Sequence, residues 1–363
     1  MPAPDDILYC SSGTEALFLL LSYLRDAKGC KRVLLSPFTC ESVLESVTAS
    51  RLHPVFVDFV SDSLSIDVKD LQRKAIAGTE DIVLYTHLFG FSPGYAEVNA
   101  FCRDKKVFLI EDCAHLIMDW VRTGACQGDA AFFSFGLSKP LNIGKGGTCW
   151  IRKEMRDEFL LYANSLPSTE IGTIPAIITL VSSYIRTNPV LLDAAVAFMS
   201  KEKSTPIARP YSEHRLRLDE WTRLNSFQIS LIEKLLSIFA PMQRMRREML
   251  ATYEKNLKDL YGVQFLCGES ALLANNAPVR VPLIVSAEQR DPLLRASIQN
   301  GLWTSTWIHF LISSNCSNET VCHQAADILK RIIALPVGFS HEEMAIIVSL
   351  RKQFQAIIKV HEK

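Results

Sequence analysis

Several features are missing from this 363-residue chain, and each absence removes a class of function. No sign of charge prevails, since 39 basic residues face 39 acidic ones and the formal net charge is zero. Such a balance leaves no electrostatic footprint for nucleic acid or an anionic membrane, and neither partner is expected. Cysteine pairing is missing too. The ten cysteines (Cys10, Cys30, Cys40, Cys102, Cys113, Cys126, Cys149, Cys267, Cys316 and Cys322) show no CxxC pair and no metal-like spacing. Many lie in apolar runs, so free buried thiols in a reducing, cytoplasmic setting are expected, with neither disulfides nor a metal site. The opening MPAPDDILYC lacks the basic region and apolar core of a signal peptide. The glycosylation-like triplets at Asn315 and Asn318 are therefore read as chance matches. No apolar run suits a bilayer. Residues 174–199 come nearest, but Arg186, Asn188, Pro189 and Asp193 interrupt them short of about 18 continuous apolar positions. Two amphipathic helices broken at Pro189 are expected there, and the chain holds no internal repeat or low-complexity tract.

What is present is ordinary globular composition, 48% apolar and 21% charged. Short apolar runs alternate with helical segments: strands at 32–35, 54–57, 82–85 and 107–111, helices at 41–50, 68–77 and 95–105. Alternation of this kind predicts right-handed βαβ units. The cores VLL, VFV, IVLY and VFLI suit strands covered on both faces. The fold class is therefore α/β, a mostly parallel central sheet with helices on both faces, plus a small C-terminal α+β domain. The expected division is 1–240 for the large domain, with a helical insertion at about 160–210, and 241–363 for the small one. Residues 227–256 read as one long helix able to bridge both parts, and 342–360 as a final helix.

The most informative stretch is 107–151. Its first strand carries Glu111 and Asp112 to a C-terminal end, where open α/β sheets place their ligands. A second strand, AAFFSF, leads to Lys139 and the glycine-rich turn Gly144-Lys145-Gly146-Gly147. A carboxylate at a strand end and a lysine beside a tight turn fit a pyridoxal 5'-phosphate (PLP) site. Far upstream, Ser12-Gly13-Thr14 opens a helix, where free backbone N–H groups and the helix dipole favour an anion. An ordinary cap is the better explanation of that motif alone; the lysine is what makes a phosphate there the better reading. Thr39, Asp58 and the Thr86-His87 pair fall just past strand ends on the same side.

Taken in order, SGTEAL, SPFT, HPVFVDF, THLFG, FLIEDCAH, GDAAFFSFGLSK, GKGGTCWI, RLNSFQ and ALPVG resemble the DegT/StrS-type sugar aminotransferases, which have PLP fold type I. That resemblance implies a homodimeric aminotransferase that moves an amino group from an amino acid, by analogy glutamate, to a keto sugar that is nucleotide-linked. By matching motifs, Lys139 corresponds to the Schiff-base lysine and Asp112 to the acid that keeps the pyridinium protonated. His115 corresponds to a contact of the ring hydroxyl, Ser134 to a phosphate ligand, and Gly13, Thr14 and Glu15 to the rest of the phosphate cradle. Thr39 and Cys40 fall on the ring-facing loop.

Three departures accompany the match. An aromatic usually follows the PxxT motif and stacks on the ring; here Cys40 follows Thr39, and either Phe38 substitutes or the ring lacks a stacking partner. The family's Asn-Tyr-Arg, which reaches a neighbouring subunit's phosphate, reads Trp221-Thr222-Arg223. Only ten residues precede Ser11, and the segment from 167 to 210 is long and apolar, so the substrate site is expected to differ from the family's. Arg209, Arg217 and Arg223 are candidates for an anionic substrate group, because guanidinium suits such anions. The alternatives are a related PLP reaction with another acceptor, or a non-catalytic protein of the same fold. Dehydratases that resemble the family carry His in place of the lysine, and Lys139 argues against that branch.

Overall fold

The structure, a computed structural model, describes residues 7–76, 78, 80–137, 139–187, 221–266, 272, 276–300, 302, 323–337 and 341–361. Its first half alternates as expected: β1 Ile7–Cys10, α1 Gly13–Lys28, β2 Arg32–Leu35, α2 Glu41–Ala49, β3 His53–Phe56, α3 Val68–Lys74, β4 Asp81–Thr86, α4 Tyr95–Lys105 and β5 Phe108–Asp112. There follow α5 Asp119–Arg122, β6 Ala130–Ser134, β7 Gly147–Ile151, α6 Lys153–Ser165, β8 Ser168–Glu170, α7 Thr173–Thr187 and β9 Trp221–Arg223.

These strands form one sheet in the order β3-β2-β4-β5-β6-β7-β1-β9-β8. From β3 to β6 all neighbours are parallel, whereas β7 runs antiparallel to β6 and to β1, and β9 antiparallel to β1. The sequence reading leaves out the antiparallel side, whose strands are short and carry no alternating pattern. Two cores cover the faces. One gathers Leu34, Val83, Leu109, Ala131 and Phe133; the other gathers Val33, Leu35, Ile82, Leu84, Ile110 and Phe132. Alternate residues of each strand thus enter opposite cores, which is why the strand sequences are apolar throughout. Helix α1 is sunk into the second core, with Leu17, Leu19, Leu20 and Leu21 fully buried. Each such leucine stabilises the fold by about 2 kcal/mol.

A second sheet, β10 Gln264–Phe265, β11 Arg280–Ile284 and β12 Ile332–Pro336, is antiparallel in the order β10-β11-β12. The helices Phe239–Leu257 and His341–His361 pack on it through Met249, Leu250, Tyr253, Ile347, Leu350 and Phe354. Phe38, Phe59 and Phe89, from loops at the C-terminal edge of the first sheet, enter the same core. The Val279 N–H donates to the Phe89 carbonyl (2.8 Å), which fastens the second sheet to that edge.

One long helix over 227–256 does not form. Two helices occupy the region, Ser226–Ser237 and Phe239–Leu257, with Ile238 out of helical register at φ −108°, ψ 7°. Pro241 is the cause. In a continuous helix its ring would meet the Ser237 carbonyl and its missing N–H would break the ladder; in the first turn of a new helix neither cost arises. Helix α7 is the first of the amphipathic pair expected after 174, and Pro189 lies outside the described residues. Among the described residues no helix is long and apolar enough to cross a membrane.

Candidate functional site

The C-terminal ends of β4, β5 and β6 and the first turn of α1 enclose a cavity of about 230 Å³. Gly13, Thr14, Thr39, Cys40, Asp112, His115, Ser134 and Lys139 all line it, with Thr86 between them. Residues 13 to 139 meet here because parallel strands deliver their C-terminal ends to one edge.

Strand alternation sends the two acids of β5 to opposite faces. Asp112 turns into the cavity, where the Ala114 N–H donates to its Oδ1 (3.0 Å) and the Thr86 hydroxyl to its Oδ2 (3.3 Å). Burial pushes its carboxyl pKa up, and the Ala114 N–H, the positive charge of Lys139, His87 and Thr86 oppose that shift in part. Glu111, expected beside it, faces the other way and is fully buried. It accepts from Gln127 N–H (2.9 Å), Gly128 N–H (2.6 Å), the Cys126 thiol (3.2 Å) and the Tyr95 hydroxyl, and its Oε2 meets His87 Nε2 (2.9 Å). His87 therefore serves this network and stays out of the cavity, although its backbone N–H reaches the Asp112 carbonyl (3.1 Å). The ligand-type atoms of His87, Glu111 and Cys113 lie within 4.8 Å of one another, but both Glu111 oxygens are committed to hydrogen bonds.

His115 is held by one bond that sets its tautomer. The Phe89 N–H donates to its Nδ1 (3.1 Å), so the ring proton belongs on Nε2. Burial, with the charges of Lys139 and Arg280, drives its pKa well below the imidazole range, and the ring is neutral at pH 7. It lies parallel to the Phe89 ring, 6.2 Å away with 5° between planes.

At the far end of the cavity Ser12 caps α1, its Oγ accepting from the Glu15 N–H (3.1 Å). This bond corrects one expectation: the Glu15 backbone donor is already used. The Glu15 side chain also points away, accepting from Ser11 N–H and Thr222 N–H (2.9 Å each). Gly13 and Thr14 line the cavity, with Gly13 opposite Ser134. A Cβ on Gly13 would stand 2.9 Å from Ser134 Cβ, so glycine alone allows this approach. The glycine-rich turn plays a supporting part and does not line the cavity. Gly146 has φ 138°, and a Cβ on Gly147 would lie 2.3 Å from Gly13 N, so the turn lets β7 pass directly against the start of α1.

Thr39 is 1% exposed, lines the cavity, and its hydroxyl has no hydrogen-bond partner among the described residues. Cys40 beside it is exposed, with Sγ accepting from the Ser42 hydroxyl (3.1 Å). Phe38 is no substitute for a stacking aromatic: it is buried edge-on against Phe59 at 4.5 Å in the core on the second sheet and is absent from the cavity wall. Asp58 stays at its strand end, accepting from Phe59 N–H (2.8 Å). The seven described cysteines are free.

A second cavity, of about 320 Å³, opens on the other side of Lys139. Leu235, Phe239, Met242 and Pro336 form apolar walls, and Arg246 and Arg280 stand in them. The sequence reading missed both arginines. Arg246 had a signal, a charge on the buried stripe Phe239, Met249, Leu250 and Tyr253 of its helix; Arg280 merely opens a strand. Of the arginines singled out, Arg223 lines neither cavity. It lies over the Trp221 ring at 4.9 Å and donates to Asn164 Oδ1 (3.0 Å). Arg209 and Arg217 lie outside the described residues.

The cofactor expected from the sequence fits the donor set. Phosphate suits the α1 terminus with Ser134, an electron-poor ring nitrogen suits Asp112, a carbonyl suits Lys139, and the solitary Thr39 hydroxyl has a partner to gain.

Comparison with known proteins points the same way. A dTDP-4-dehydro-2,3,6-trideoxy-D-glucose 4-aminotransferase of Saccharopolyspora spinosa is 35% identical over 147 residues, 40% of this chain and 37% of that protein. A GDP-perosamine synthase of Vibrio cholerae is 31% identical over 139 residues, 38% and 37% of the two chains. These matches thus span little more than a third of either relative. A UDP-2-acetamido-2-deoxy-3-oxo-D-glucuronate aminotransferase of Pseudomonas aeruginosa is 23% identical over 309 residues, 84% of this chain and 72% of that one. Among solved structures, a sugar aminotransferase described as putative, from Streptococcus pneumoniae in its PMP form, superposes with TM-score 0.71 at 15% identity, over 98% of this chain and 88% of that one. An aminotransferase of Streptoalloteichus hindustanus gives 0.69 at 19% identity, over 98% and 86%. The fold is that of these aminotransferases, and residues 6–164 match the model of the DegT/DnrJ/EryC1/StrS aminotransferase family.

Proposed function

We propose that this protein is a PLP-dependent aminotransferase that takes an amino group from an amino acid, glutamate first among them, and gives it to a keto group on a nucleotide-linked sugar. The observation that carries this reading is Lys139 lining both a cavity whose Gly13, Thr14, Asp112, His115 and Ser134 suit the cofactor and a second cavity of about 320 Å³. Bound PLP supplies an electron sink for the substrate carbon next to the transferred nitrogen.

The chain's own residues do the rest. Asp112 holds a proton on the ring nitrogen: its carboxylate is oriented by Ala114 N–H and Thr86 and sits in a buried, low-dielectric position where ion pairing is strong. The neutral His115 offers an Nε2–H donor without adding positive charge. Gly13, Thr14 and Ser134 bind the phosphate, and Thr39 donates its hydroxyl to the bound group. Lys139 carries a proton to and from the substrate carbon, work that contributes about 10²- to 10⁴-fold.

A homodimer belongs to the same proposal, as does a division between a large and a small domain at the helix break, Ile238. The test is a half-reaction. Glutamate added to the PLP-loaded protein should bleach its yellow colour and release one equivalent of 2-oxoglutarate, and a panel of keto-sugar nucleotides should restore the colour. Colour that no amino acid bleaches sinks the aminotransferase reading.

A further inference from the structure

Arg246 and Arg280 reach the second cavity from separate elements, the helix that restarts after Ile238 and the first residue of β11. Arg246 lies on the helix that packs on the second sheet and Arg280 opens β11 of that sheet, whereas Lys139 follows β6 of the first sheet, so the cavity lies where the two sheets' elements meet. Arg246 is 4% exposed and lies over the Phe239 ring at 5.5 Å, which fixes its guanidinium against one wall. Arg280 Nη1 lies 3.5 Å from the Ala334 carbonyl, and its charge is felt at His115. Among the described residues, Lys139 and these two arginines are the charged side chains that line it.

From this arrangement we infer that Arg246 and Arg280 form an oxyanion subsite that holds the anionic end of the substrate while its reacting carbon lies at Lys139. Two planar guanidiniums suit the paired oxygens of a carboxylate or a phosphoryl group. Walls of Leu235, Phe239 and Met242 exclude water, so each charged contact is stronger than at the surface. Burial pushes both guanidinium pKa values down, Arg246 to about 10, and a bound oxyanion offsets that desolvation. The volume falls in the usual range for small-molecule pockets.

The assignment rests on the aminotransferase reading for the identity of the substrate, though the subsite itself can be tested apart from it. Calorimetric titration of the full chain, with and without added PLP, would use inorganic pyrophosphate and, separately, 2-oxoglutarate. At least one should bind, pyrophosphate marking a nucleotide diphosphate and 2-oxoglutarate the amino donor. Arg280→Gln and Arg246→Met should each weaken that binding tenfold or more without changing uptake of PLP. Arg280→Lys should weaken it less, and it keeps the test open if the other variants fail to fold. Failure of both anions to bind, or equal binding by wild type and folded variants, overturns the subsite. A chain that stays colourless with PLP yet binds an anion through these arginines keeps the subsite and overturns the aminotransferase reading.

Discussion

The two cavities that share Lys139 are built on opposite principles. The first takes its polar groups from strand ends and a helix start, where backbone geometry aims them: Gly13 and Thr14 on α1, Asp112 held by Ala114 N–H, Ser134 at the end of β6. The second takes its polarity from two long, separately anchored guanidiniums on apolar walls. Aimed donors suit a group that is always the same, whereas side chains on a wall can change without disturbing the sheet. The contrast explains why the cofactor end carries the family motifs while the arginines do not.

Substitutions can break that contrast, beginning with the largest effect. Lys139→Ala removes the group common to both cavities and should lower kcat by about 10⁴-fold, the upper end for acid–base catalysis. Asp112→Asn leaves the shape and removes the charge. A charge-assisted hydrogen bond worth about 1.5–3 kcal/mol predicts a fall in kcat of about 10²-fold with little change in KM. Arg280→Gln should do the reverse, raising the KM of the substrate it holds tenfold or more while sparing kcat, and steady-state kinetics separates the two patterns.

Two smaller effects bear on the first cavity alone. His115 is neutral when folded and has a pKa near 6.5 when unfolded. Below that value the unfolded chain binds the extra proton, so stability should fall as pH drops, by up to about 1.4 kcal/mol per unit. Denaturant titrations between pH 7 and 5 should show a flatter slope in His115→Gln. Thr39→Val should reverse sign with the ligand. Without PLP it removes a buried unpartnered hydroxyl and should stabilise the chain by about 1 kcal/mol; with PLP the gain should vanish as a bond is lost. Thermal melts of both forms check this.

Legibility in the sequence follows the same division. Strands buried on both faces announce themselves as VLL or VFLI, and the Ser12 cap and Lys139 are local signals that chain order alone could place. The antiparallel strands β1, β7 and β9, ILYC, GTCWI and WTR, lack the unbroken Val, Ile and Leu runs that mark the parallel ones. The break at Ile238 was written in Pro241, yet the apolar stripe runs on through both helices and masks it. Phe38 was assigned by chain position, which cannot tell that its ring is needed beside Phe59. Arg246 and Arg280 meet only through tertiary packing, more than thirty residues apart in sequence, and no local pattern could pair them.

The most direct measurement is borohydride reduction of the PLP-loaded protein followed by mass mapping of its peptides. The account predicts a stable phosphopyridoxyl group on Lys139, in near-unit amount, absent in Lys139→Ala. An unlabelled chain, or a label on another lysine, would contradict it.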